Sequence, residues 1–188
     1  AGAALQQLDL SSAQIGSEGV VQLAAMIGSL KGLTRLSLSN TGAYASGTVA
    51  LGEALRAGSL PGLQRLVYDF NYADPPSATV LLEGLEQGCP RLYYLNLGHN
   101  TCFSSAPAAA TAGGGGAEAE GGARAARALS RILTSRRVTA LVLPKTGLTC
   151  TEMELLADAW ASDAAAGSAL CLLDVTSNSG LGSLGAVS

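Results

Sequence analysis

Residues 8–27 read LDLSSAQIGSEGVVQLAAMI, and a change of period inside this stretch decides the fold. Leu8 and Leu10 alternate with Asp9 and Ser11, the period of two that marks a short strand with one buried face. Val20, Val21, Leu23, Ala24 and Ile27 then form an apolar stripe at helical spacing. Between the two, Ile15 is placed to point back toward the same core. The stretch reads as a strand, a turn and a helix, a unit too small to bury its own strand face.

The opening signature is an apolar residue, two others, Leu, one other, and an apolar residue. It recurs as Leu5-Leu8-Leu10, Leu33-Leu36-Leu38, Leu63-Leu66-Tyr68, Leu92-Leu95-Leu97, Val138-Leu141-Leu143 and Leu170-Leu173-Val175. Successive starts lie 28, 30, 29, 46 and 32 residues apart. Three residues past the last apolar site is a turn position, where a side-chain amide can satisfy backbone groups that the ending strand leaves open. Asn71, Asn100 and Asn178 stand there in units three, four and six, Thr41 and Thr146 in units two and five, and Ala13 in the first. Two residues further on, Cys102 and Leu148 repeat the inward role of Ile15. Helical stripes follow the later strands: Val49, Leu51, Leu55 and Leu60; Val80, Leu81, Leu82 and Leu85; Leu129, Ile132 and Leu133; Met153, Leu155, Leu156 and Trp160. Small residues such as Gly19, Ala24, Ala25, Gly52, Ala54 and Gly84 suit close helix packing, and Gly62 and the Gly88-Cys89-Pro90 stretch punctuate helix-to-strand passages.

A period near 29 residues with these positions resembles the leucine-rich repeat, and the quoted stretch is similar to the ribonuclease-inhibitor-like class, which carries a helix in every repeat. Ran GTPase-activating proteins and the sensor repeats of NOD-like receptors share that class. The resemblance implies an α/β leucine-rich repeat solenoid, with a curved parallel sheet on the concave side and helices on the convex side. It implies one domain over 1–188, a piece of a longer array. The same scaffold serves many partners, so the resemblance speaks to fold more than to function.

Two places depart from the pattern. The long fourth interval holds SSAPAAATAGGGGAEAEGG, residues 104–122, which has no large apolar side chain to offset the entropy of ordering. It reads as a flexible Gly/Ala-rich insertion; its alanines could instead extend the following helix by a turn or two. In the third unit Tyr68 replaces Leu, and Phe70, Tyr72, Asp74, Pro75 and Pro76 crowd the turn, so the helix is placed to start near Ser77. Tyr68 reads as core, and Phe70 and Tyr72 as rim residues.

Composition removes several functions from consideration. Lys and Arg total 11 against 14 acidic residues, and charged residues make up only 13% of the chain, too few to form a phosphate-binding patch. Arg124, Arg127, Arg131, Arg136 and Arg137 read as a solvated helix edge and turn. No stretch is apolar enough to span a bilayer. Cys89, Cys102, Cys150 and Cys171 are widely spaced, and with the single His99 they offer no zinc spacing, so no cofactor or metal is expected. Reduced cysteines suit an intracellular protein. His99, in a turn, has no nucleophile set beside it, and Glu18, Glu53, Glu83 and Glu86 fall on helices where carboxylates mostly face solvent. The chain is expected not to be an enzyme.

A repeat sheet displays its non-core strand residues. By register these are Gln7 and Asp9, Arg35 and Ser37, Arg65 and Val67, Tyr94 and Asn96, Ala140 and Val142, and Leu172 and Asp174. Val67, Tyr94, Val142 and Leu172 are apolar or aromatic where polar groups would serve a solvated surface equally well. With Arg65 and Asp69 they have the mixed composition of a protein-binding patch. The expected site is therefore Asp9, Arg35, Arg65, Val67, Asp69, Tyr94, Asn96, Val142, Leu172 and Asp174, and the expected partner is one or more proteins in a hetero-assembly. The resemblance to Ran activators raises GTPase binding or activation as an alternative, with Asn40, Asn71 and Asn100 as turn-borne candidates, although no Arg occupies such a turn. A third reading is a subunit embedded in a larger complex. The high-Ala, low-Lys composition also fits a GC-rich genome of the kind in which such repeat proteins occur in cilia, so the expected location is cytoplasmic, with cytoskeletal or ciliary assemblies included.

Overall fold

The computed structural model describes residues 4–104, 117–135, 137–161 and 169–182. Strands and helices alternate along the chain: β1 (Gln7–Asp9), α1 (Gly16–Met26), β2 (Arg35–Ser37), α2 (Tyr44–Arg56), β3 (Arg65–Val67), α3 (Pro75–Gly88), β4 (Tyr94–Asn96), α4 (Ala117–Thr134), β5 (Ala140–Val142), α5 (Cys150–Ala161) and β6 (Leu172–Asp174). The strands form one open parallel sheet in the order β1-β2-β3-β4-β5-β6. Each strand pairs with the next in sequence, and each helix packs on its neighbours, the arrangement of a solenoid-like stack.

The repeat signature supplies the core. Leu36, Leu66, Leu95 and Leu141 sit at the middle of their strands and are buried, as are Leu33, Leu63, Leu92 and Val138 before them and Leu38, Tyr68, Leu97 and Leu143 after them. Tyr68 fits because its hydroxyl pairs with Thr48 Oγ1 at 2.8 Å, so a buried polar tip is not left unsatisfied. The same positions in the end units are more open: Leu5 is 48% exposed and Leu173 36%, because each has a neighbouring unit on one side only.

At the turn position the asparagines link one repeat to the one before. Asn71 Oδ1 accepts from the backbone N–H groups of Thr41 and Ala43 at 3.0 and 3.3 Å, while its Nδ2 donates to the carbonyls of Leu38, Tyr68 and Asp69. Asn100 makes the same set one unit on, accepting from Asn71 and Ala73 N–H and donating to the Tyr68 and Leu97 carbonyls. Asn178 does so for Thr146 and Leu148. Thr41 and Thr146 reproduce only part of this: each hydroxyl stands within hydrogen-bond reach of the carbonyl three residues before it, Leu38 or Leu143, and of the Oδ1 of the following Asn. Ala43, Ala73, Cys102 and Leu148 fill the inward site just after the turn, all buried.

Helix spacing depends on glycine. A Cβ on Gly84 would lie 2.1 Å from the Gly52 carbonyl oxygen, and one on Gly88 1.7 Å from that of Leu55. α2 and α3 therefore meet backbone to backbone. Gly19 has no such role, since a Cβ there would meet only the side chain of Ile15. Val21, at 40% exposure, falls outside its helix's buried stripe.

Two boundaries differ from the sequence reading. α3 starts at Pro75, not near Ser77, because proline fits the first helical turn, where its missing N–H has no intrahelical partner. Asp74 caps it, with Oδ1 accepting from Ser77 N–H and Ser77 Oγ accepting from Asp74 N–H. α4 starts at Ala117, so residues 117–122 of the span read as an insertion are helical. Residues 105–116 of that span, Arg136 and the Trp160 side chain lie outside the described residues.

Candidate functional site

The face of the sheet away from the helices carries two rows of side chains fixed by strand register. The first runs Gln7, Arg35, Arg65, Tyr94, Ala140, Leu172, and the second Asp9, Ser37, Val67, Asn96, Val142, Asp174. Adjacent members stand one strand spacing apart, about 4.8 Å. Nine of the ten expected site residues fall in these rows. Asp69 stands two residues beyond β3, where the chain is turning.

Local hydrogen bonding divides them into two groups. Asp9 Oδ1 accepts from Ser11 N–H at 2.9 Å, Asn96 Oδ1 from Gly98 N–H at 2.9 Å and Asp174 Oδ1 from Thr176 N–H at 3.0 Å. These side chains brace the turn that follows their own strand, a local role that accounts for an Asx residue there. Hydrogen bonds from the Ser11 hydroxyl and N–H hold the Asp9 carboxyl below its usual range, and those from the Thr176 N–H and hydroxyl do the same for Asp174. Asp69 Oδ1 is buried without a hydrogen-bond partner among the described residues. Arg35, Arg65, Val67, Tyr94, Val142 and Leu172 have no such duty. The Arg65 guanidinium lies 3.8 Å from the centroid of the Tyr94 ring, and Leu172 is 47% exposed. A shallow hollow of about 350 Å³ is lined by Arg35, Ser37, Arg65, Val67 and Tyr93.

A second feature escaped the sequence reading. In every unit the residue two past the last apolar site has a positive φ: Ser12, Asn40, Phe70, His99, Lys145 and Ser177, between 52° and 61°. Asn and His tolerate this region; a bulky Phe there is strained. The turn projects Phe70 onto His99 in a stacked pair with centroids 3.9 Å apart, and Tyr72 onto Tyr44 at 5.2 Å. Phe70 and Tyr72 are indeed rim residues, 44% and 63% exposed. Only the spacing to Asn40 and His99 hinted at the conformation of Phe70.

The remaining candidates lie in turns, on helices or in the core. His99 is stacked and in a turn. Asn71 and Asn100 are buried and bonded to backbone, and Asn40 Nδ2 lies 3.5 Å from Ser12 Oγ. Cys89 and Cys102 are buried, and burial pushes both thiols up to about 12. Arg131 is tied to Glu86 at 2.9 Å and Arg56 to Glu83 at 2.6 Å, so helix-surface charges pair with each other. Among the described residues no cluster of His, Cys, Asp and Glu could hold a metal ion, and no helix is long and apolar enough to cross a membrane.

No known protein family matches the chain, and no curated protein does. Among solved structures, the tropomodulin C-terminal domain from Caenorhabditis elegans is similar: TM-score 0.59 and 14% identity, over 82% of this chain and 81% of that one. A likeness at that identity concerns the fold alone, and the fold it indicates is a generic leucine-rich-repeat-like one.

Proposed function

We propose that this chain is a non-catalytic protein-interaction module, a curved leucine-rich repeat solenoid of the helix-containing class that holds a protein partner on the open face of its sheet. The observation that carries the reading is the group of outward side chains in register that the fold does not use. Arg65, Val67, Tyr94, Val142 and Leu172 share one face and brace no turn, unlike Asp9, Asn96 and Asp174. Tyr and Arg are the residues enriched at interface hot spots, and the aliphatic groups around them supply apolar contact area. The test is capture of a partner by the intact chain and by a Val67→Asp/Tyr94→Asp variant, with circular dichroism as the folding control. Loss of capture by a folded variant supports the reading; undiminished capture removes it.

A subunit role within a larger assembly is favoured by a different observation. Leu5 at one end of the stack, Leu173 at the other, and Val21 and Met26 on α1 are apolar and exposed. A subunit interface would cover them. In that case crosslinks to partners would cluster on the ends and on α1 rather than on the strands.

A further inference from the structure

We propose that the open face selects an acidic segment of its protein partner and fixes its direction, seating carboxylates on Arg35 and Arg65 and apolar side chains on Tyr94, Val142 and Leu172. The inference rests on the open-face reading above and adds the chemistry and polarity of what binds there.

Arg35 and Arg65 are register partners on adjacent strands. Like charges directly opposite in a sheet repel. Neither forms an ion pair among the described residues, whereas Arg56 and Arg131 on the helices both find Glu83 or Glu86. The acid closest in register, Asp9 on β1, already accepts from Ser11. Two adjacent guanidiniums thus stand on the surface without an ion-pair partner among the described residues, with Asp9 at the edge of the same hollow but bonded to Ser11.

Their presentation favours a carboxylate. Arg65 lies against the Tyr94 ring at 3.8 Å, which limits its rotamers and leaves the planar N–H fork free to take a carboxylate in two parallel hydrogen bonds. From there the first row turns apolar: Tyr94, Ala140, Leu172, with Val142 beside them in the second. The first row is cationic at β2 and β3 and aromatic or apolar from β4 to β6, while Asn96 and Asp174 in the second row are held by their own turns. The distance from Arg35 to Leu172 is four strand spacings, about 19 Å. A helical segment of about 13 residues spans it.

Nucleic acid fits this face less well. A phosphate backbone repeats its charge and needs repeated cations. Here the cations stop after two strands, and the whole chain carries a net charge of -3.

The test is an array of synthetic peptides of about that length, permuting acidic, basic and aliphatic residues, probed with the labelled chain at low and raised salt. Retained peptides should be acidic at one end and aliphatic at the other, and raised salt should weaken them. An Arg35→Glu/Arg65→Glu variant should lose these peptides by about tenfold or more, the effect of one or two charge-assisted contacts. It should also gain peptides that are basic where the others were acidic, a result no misfolded chain would give. Retention without acidic enrichment, or an unchanged selection by the double variant, overturns the proposal. If those peptides are still lost in Tyr94→Asp, the open-face reading survives it. Preference for a single-stranded oligonucleotide over every peptide overturns the proposal as well.

Discussion

Asn71 carries more of the fold than its size suggests. Its amide satisfies two backbone N–H groups of the preceding turn and reaches three carbonyls, all in a buried site. Asn71→Ala leaves those groups without partners and without water, at a cost of about 3 kcal/mol or more. Urea unfolding should show a lower midpoint with an unchanged slope. The thiols give a second residue-scale prediction. Under native conditions a thiol reagent should modify exposed Cys171 and half-buried Cys150, and reach Cys89 and Cys102 only on unfolding. Because folding raises the Cys89 and Cys102 thiols to about 12 from an ordinary 9.0, the unfolded chain releases these protons first as pH rises. Their contribution is complete below about pH 9 and is lost between there and about pH 12, so stability should fall through that window. The position of Asn71 was legible in the sequence because an amide at a fixed distance past a strand has one local use. The left-handed backbone at Phe70 was not, because nothing in a Phe announces it.

At the scale of elements, packing between α2 and α3 should outweigh the ion pairs laid over it. Gly88→Ala puts a Cβ against the Leu55 carbonyl and forces the two helices apart, costing about 3 kcal/mol or more. Arg131→Ala removes contacts to Glu83 and Glu86 from a side chain 49% exposed, and such exposed pairs are worth about 1 kcal/mol at most. Thermal unfolding of the two variants should rank them in that order, with the Arg131 effect shrinking as salt rises. Gly52 and Gly84 were recognisable as small residues on helical stripes. Gly88 read as punctuation, since its sequence context matches a helix end and only the third dimension shows the Leu55 carbonyl above it. Pro75 and Pro76 are ambiguous in sequence for a comparable reason: proline ends an extended segment and also starts a helix.

For the whole molecule, the alternating signature makes both the strand order and the outward rows legible in the sequence alone. A one-residue slip would turn every buried Leu to solvent, which is why the register was secure. What the signature could not separate was display from bracing. Asp9, Asn96 and Asp174 point outward in the same way as Arg65 and Tyr94, and only the N–H groups of Ser11, Gly98 and Thr176 reveal that they serve their own turns. The central claim is that a protein partner lies on the remaining group. Crosslink mapping on the chain with its co-purified partner tests this most directly. Crosslinks and protection should fall along β2 to β6, centred on Arg65, Val67 and Tyr94. Contacts confined to the ends of the stack and to the helices would contradict it.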